Sequence, residues 1–204
     1  MDLFKQQDTE VEVFKVLGGE ILFIRNFLSP TEAKKYFDLL LETINWKQEQ
    51  ISFYGKTYPV PRKTAWYGYE GFDYSYSGIK CTTEIWTKEL LEIKTAIEKI
   101  TLSEDFTGVL LNLYNDGNDK MGWHSDDEKE LGINPTIASL SIGETRRFDL
   151  KHKQNKDLNY KFELTSGSLL IMRGALQHHW VHQIPVQKKV KNPRINLTFR
   201  TIIK

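Results

Sequence analysis

Pro193-Arg194-Ile195-Asn196-Leu197-Thr198-Phe199-Arg200 alternates polar and apolar side chains with a period of two. That period marks a strand, because successive side chains leave a pleated backbone on opposite sides. Arg194, Asn196, Thr198 and Arg200 therefore share one face, and Ile195, Leu197 and Phe199 share the other. Two guanidinium groups and an amide on one face of a buried strand are costly without partners. A ligand with two carboxylates satisfies them, since guanidinium grips carboxylate in a two-pronged, charge-assisted fashion. Val109-Leu110-Leu111-Asn112-Leu113-Tyr114 repeats the device, with Asn112 and Tyr114 on one face and Leu111 and Leu113 on the other.

Between these two segments lies His124-Ser125-Asp126. In an extended segment, residues two apart point to the same side, so His124 and Asp126 can grip one metal while Ser125 faces away. Downstream, His178, His179 and His182 compete to supply a third ligand. Two imidazoles and one carboxylate occupy one face of an octahedral ion and leave the opposite face open, an arrangement that suits iron(II).

The wider chain reads as two early helices followed by many strands. Ser29-Pro30-Thr31-Glu32 is a helix start, with an N-cap, a first-turn proline and a capping-box glutamate. Tyr36, Phe37, Leu40, Leu41 and Ile44 follow at helical spacing. A second helix is expected from about Lys88 to Ile100, with Leu90, Leu91, Ile93 and Ile97 inward. Strands are expected at Ile21–Phe27, Val109–Tyr114, Ile137–Ile142, Arg147–Lys151, Tyr160–Leu164, Ser168–Met172, His179–Gln183 and Ile195–Ile202. The fold class is thus mainly β with flanking helices packed on a β-sandwich.

At 204 residues the chain is long enough for one substantial core and short for two. With 27% charged and 40% hydrophobic residues it is globular, not disordered. Net charge is only +1, so the molecule as a whole is not a polycation. Lysines nonetheless cluster at 188, 189 and 191, at 151, 153 and 156, and at 56 and 63, where they can meet phosphates. The single cysteine, Cys81, excludes an intrachain disulfide. An apolar signal core and a run of membrane-spanning length are both missing, so an intracellular, soluble monomer is expected, with no membrane partner.

His124-Ser125-Asp126, a later His182, R-x-N-x-T-x-R from Arg194 to Arg200, and Asn112-Leu113-Tyr114 together resemble the AlkB family of iron(II)/2-oxoglutarate dioxygenases. The resemblance tightens to the homologues that repair double-stranded DNA. It does so on Pro61-Arg62-Lys63, Tyr74-Ser75-Tyr76-Ser77-Gly78, His124-Ser125-Asp126-Asp127-Glu128 and His179-Trp180-Val181-His182. It runs in order from about Phe53 to the C-terminus.

The resemblance implies a double-stranded β-helix, or jelly roll, with the metal between the sheets. It implies one domain over 1–204, divided into an N-terminal extension and nucleotide-recognition lid (1–105) and a catalytic core (106–204). Its W-x-H pattern selects His182 as third ligand to Fe(II), beside His124 and Asp126. It assigns Arg194, Tyr114 and Asn196 to the far carboxylate of 2-oxoglutarate, places Arg200 and Asn112 nearer its chelating end, and adds Thr198 to the same set. Tyr76 takes the base-stacking position, with Tyr74 and Ser77 beside it. Arg62, Asp127 and Glu128 fall at polar pocket positions, and Tyr54 at an aromatic finger that fills the gap left by a flipped base. The implied activity is oxidative demethylation of 1-methyladenine- and 3-methylcytosine-type bases in single- and double-stranded DNA. It consumes O2 and 2-oxoglutarate and yields succinate, carbon dioxide and formaldehyde. The alternatives are an RNA demethylase with the same chemistry, a protein or small-molecule hydroxylase on the same fold, and a nucleic-acid-binding module with a degenerate metal site.

Overall fold

In the computed structural model, residues 10–53, 56–72, 74–76, 79–101 and 105–203 are described, with backbone alone at 52, 53, 74–76 and 79–81. The chain runs β1 (Glu12–Val16), β2 (Gly19–Ile24), α1 (Pro30–Thr43), β3 (Gln50–Phe53), β4 (Lys56–Pro59), β5 (Lys63–Gly68), β6 (Tyr74–Tyr76), β7 (Ile79–Cys81), β8 (Glu84–Ile85) and α2 (Lys88–Thr101). It continues through β9 (Gly108–Tyr114), β10 (Met121–His124), β11 (Ile137–Gly143), β12 (Arg146–His152), β13 (Asn159–Leu164), β14 (Ser168–Gly174), the single turn α3 (Leu176–His179), β15 (Trp180–Ile184) and β16 (Arg194–Arg200).

α1 starts where the sequence places it. The Ser29 hydroxyl accepts the Glu32 backbone N–H, and the Glu32 carboxylate accepts the Ser29 backbone N–H. Two donors that a helix start would orphan are thereby satisfied. Ala33, Tyr36 and Leu40 form its buried face, and Leu90, Ile93 and Ile97 that of α2. Leu41 and Leu91, expected inward, are 38% and 37% exposed and lie at the borders of their apolar stripes.

The strands form a large sheet in the order β1-β2-β14-β11-β16-β9-β5-β8 and a small one in the order β10-β15-β12-β13. From β9 to β16 the chain crosses repeatedly between the two sheets, which is the jelly-roll winding. β3–β4 and β6–β7 are separate hairpins. The boundary drawn near residue 105 does not divide the large sheet, because β1, β2, β5 and β8 extend it on both edges. Among these, β1, β5 and β8 lie outside every expected strand. His179, expected to open a strand, instead ends α3.

Three layers result. Ile195, Leu197 and Phe199 of β16 join Val109, Leu111 and Leu113 of β9 in a core shared with both helices. Leu110 and Tyr114 belong to a second core, formed with Phe148, Leu150, Phe162, Trp180 and Ile184 of the small sheet. β16 and β9 pair Arg194 with Tyr114 and Asn196 with Asn112. The polar face read from the sequence is therefore turned between the sheets. No helix among the described residues is long and apolar enough to cross a membrane.

Candidate metal and anion site

β10 lies at the edge of the small sheet, beside β15. Met121 pairs with Ile184, so a regular ladder would set His124 opposite Val181. The register instead shifts, and His124 faces His182. This bulge matters because Val181 points out of the sandwich while the 5%-exposed His182 points in. The two imidazoles approach to 4.2 Å between ring centres. Asp126 lies just past the paired part of β10 and reaches the same point. The ligand atoms of His124, Asp126 and His182 all lie within 4.8 Å of one another.

The protonation of this cluster suits a metal. The His124 Nδ1 hydrogen-bonds the Gly122 carbonyl at 2.8 Å, which leaves Nε2 with the lone pair. Burial lowers the His124 pKa and, aided by the charge on His124, pushes that of His182 down to about 3. Burial opposes ionisation of Asp126, but Arg200 above all, with His182 and His124, outweighs it and holds the carboxyl at about 2. At neutral pH the cluster therefore offers two neutral imidazoles and one carboxylate. A metal needs its ligands in that state, and the donor set fits iron(II).

Arg200 comes from the far end of β16 and donates through Nη2 to Asp126 Oδ1, which ties the large sheet to the metal cluster. At the other end of the strand, Arg194 is fully buried. Its Nη2 donates to Ser141 Oγ at 2.8 Å and to Asn196 Oδ1 at 2.6 Å. The Tyr114 ring centre lies 5.2 Å from its guanidinium carbon. Burial and the nearby Arg146 bring its pKa down to about 10, so it remains a cation at neutral pH. Its Nε and Nη1 make no hydrogen bond of good geometry among the described residues, although the Tyr114 side chain lies near enough to raise its pKa. A buried cation with donors to spare is suited to meeting an anion.

One cavity contains Arg62, Asn112, Tyr114, His124, Asp126, Glu128, His182, Asn196, Thr198 and Arg200 in its walls. The structure thus brings together most of the residues singled out from the sequence. Arg62 Nε donates to Asn112 Oδ1 at 2.6 Å, linking the expected base pocket to the expected co-substrate pocket. Asp127 is not brought in. It accepts from Ser125 Oγ and pairs with Lys153 at 3.5 Å on the surface. His178 and His179 are exposed and stand apart from the cluster. Tyr54 and Ser77 lie outside the described residues, and Tyr74 and Tyr76 are described only as backbone of β6. Sequence reasoning missed Ser139 and Ser141 on β11, which bond Asn196 and Arg194. It also missed Phe148, whose ring stacks on His182 at 5.1 Å.

Several known proteins resemble this chain. The model of the 2OG-Fe(II) oxygenase superfamily matches residues 20–200. Alpha-ketoglutarate-dependent dioxygenase alkB homolog 3 of Mus musculus is 42% identical over 185 residues, covering 86% of this chain and 64% of that protein. The chain therefore spans less than two thirds of that relative. DNA oxidative demethylase ALKBH2 of Mus musculus is 36% identical over 182 residues, covering 84% of this chain and 76% of that one. The solved structure of OsALKBH1 superposes with a TM-score of 0.64 at 17% identity, covering 93% of this chain and all of that one.

Proposed function

This chain belongs to the AlkB family within the 2OG-Fe(II) oxygenase superfamily, and from that premise we propose that it oxidatively demethylates alkylated bases in DNA. The observation that carries the proposal is a single cavity that unites a metal-ready His-Asp-His cluster with Tyr114 and Asn196, the side chains that lie against the buried cation Arg194.

When bound, iron(II) and 2-oxoglutarate supply, with dioxygen, the oxidising power that hydroxylates the methyl group, after which formaldehyde leaves and the base is restored. The protein supplies position and access. His124, Asp126 and His182 hold the metal, and Arg200 fixes the Asp126 carboxylate. Arg194, braced by Ser141 and Asn196 over Tyr114, takes the far carboxylate of the co-substrate. Asn112 and Thr198 line the same cavity as the metal cluster. Leu110, Met172, Phe148 and Ile184 keep the cavity walls apolar and exclude water. A target base must leave its stack to reach this depth. We assign its stacking partner to Tyr76, its polar contacts to Tyr74, Ser77, Arg62 and Glu128, and the filling of the vacated duplex position to Tyr54.

The test is methyl loss, followed by mass spectrometry, from matched oligomers carrying 1-methyladenine or 3-methylcytosine. Single-stranded DNA, duplex DNA and RNA are compared with iron(II) and 2-oxoglutarate present. Loss from DNA is expected. Demethylation of RNA alone would overturn the substrate and keep the chemistry. Absence of methyl loss and of succinate release would overturn both.

A further inference from the structure

The ligand loop is fastened by a side chain that the reaction itself does not use. Gln177 sits on α3 and is 1% exposed. Its Oε1 accepts the backbone N–H of Asp126 at 3.0 Å, across fifty-one residues of sequence. The other end of the same amide is engaged too, with Nε2 donating to Met172 Sδ at 3.7 Å. Met172 is a wall of the cavity. The Gln177 side chain is therefore held at both ends and cannot swing away from Asp126 without losing both bonds.

The backbone of the same turn is engaged as well. Lys153 Nζ donates to the Gln177 carbonyl at 3.1 Å and to Ser125 Oγ at 3.2 Å, and it pairs with Asp127 at 3.5 Å. Three successive residues of the loop, Ser125, Asp126 and Asp127, are thus each tied by Gln177 or by the lysine that grips it. α3 also leads directly into β15, which carries His182. One short turn accordingly sets two ligands: His182 through the chain, and Asp126 through a side-chain bond.

We propose that Gln177 is a positioning residue of the metal centre, fixing the Asp126 peptide so that its carboxylate faces His124 and His182. An amide that merely quenched a buried N–H would leave metal affinity untouched once the fold is intact. A positioning residue changes affinity at constant fold, and outer partners of metal ligands are typically worth 10–100-fold in affinity. The inference rests on the reading of His124, Asp126 and His182 as metal ligands.

The experiment is calorimetric titration of the full chain with Mn(II) in the presence of 2-oxoglutarate, paired with thermal melting of the metal-free protein. Gln177→Met keeps the length of the side chain and removes its acceptor. About 10–100-fold weaker Mn(II) binding is expected, with the metal-free melting temperature close to wild type. Wild-type affinity in a folded Gln177→Met protein would overturn the proposal. Should that variant fail to fold, Lys153→Met replaces a side chain that is one-third exposed and removes the grip on Gln177 and Ser125. A several-fold loss of affinity is expected there, and none would overturn the proposal. Failure of the wild-type protein to bind Mn(II) would instead overturn the ligand assignment, so the two failures are distinct.

Discussion

Arg194 is fully buried and stays charged at neutral pH, so the affinity it confers on an anion should be lost when it is removed. Hydrogen bonds to charged groups contribute about 1.5–3 kcal/mol, which corresponds to about 10–100-fold in affinity. Arg194→Ala is expected to weaken 2-oxoglutarate binding by that factor and to leave oligonucleotide binding close to wild type. Calorimetry with each ligand checks both halves. Unchanged 2-oxoglutarate affinity would remove Arg194 from the anion site. The placement of this residue was legible in the sequence because alternation assigns it to the face that Tyr114 and Asn112 share on the paired strand, and its charge requires a partner there. Gln177 was not legible. Its bond runs to a backbone N–H fifty-one residues away, and nothing in a local window distinguishes it from a solvated glutamine. Ser139 and Ser141 escaped for the same reason. They look like ordinary strand residues until Arg194 and Asn196 are set beside them on the neighbouring strand.

Elements were legible where one physical rule acts alone. The capping box of α1 is such a case, and its contribution is separable. Ser29→Ala removes the hydroxyl that accepts the Glu32 N–H and is expected to destabilise the protein by about 1 kcal/mol. A lower urea midpoint at unchanged slope would show it, and an unchanged midpoint would mean the cap contributes nothing. β5 was missed because nearly every residue is buried on both faces, which erases the alternation that betrays a half-buried strand. The bulge in β10 could not be read either. It exists only relative to β15, and pairing register is a tertiary property. His124 and Asp126 were still chosen correctly as neighbours in space, although the paired strand ends at His124.

At the scale of the molecule, metal and co-substrate would act as cross-links between the sheets. The cluster sits on the small sheet and its loop, whereas Arg194 and Arg200 stand on the large one. A ligand bound only by the folded state, at 100 times its Kd, stabilises by about 2.7 kcal/mol. For a chain of this size, each kcal/mol raises the melting temperature by about 2–4 °C. Saturation with Mn(II) and 2-oxoglutarate is thus expected to raise it by about 5–10 °C, and a chelator should reverse the gain. A melting curve indifferent to both would contradict a site that spans the sandwich. The sandwich itself was legible from the number and spacing of strands, but the recruitment of β1, β5 and β8 to its edges was not.

The two faces of the central strands have a consequence for descent. On β9 and β16, every second side chain meets the helices and answers only to volume and apolarity. Of the intervening ones, Asn112, Tyr114, Asn196, Thr198 and Arg200 meet the cavity and answer to charge and hydrogen-bond geometry. Neighbouring codons in one short stretch of gene therefore specify side chains under unrelated physical constraints. Helix-facing positions are free to drift among Val, Leu, Ile and Phe as long as their sizes compensate one another. A lineage that exchanged its co-substrate would carry the record of that exchange in the alternate positions alone, written between residues that had not needed to change.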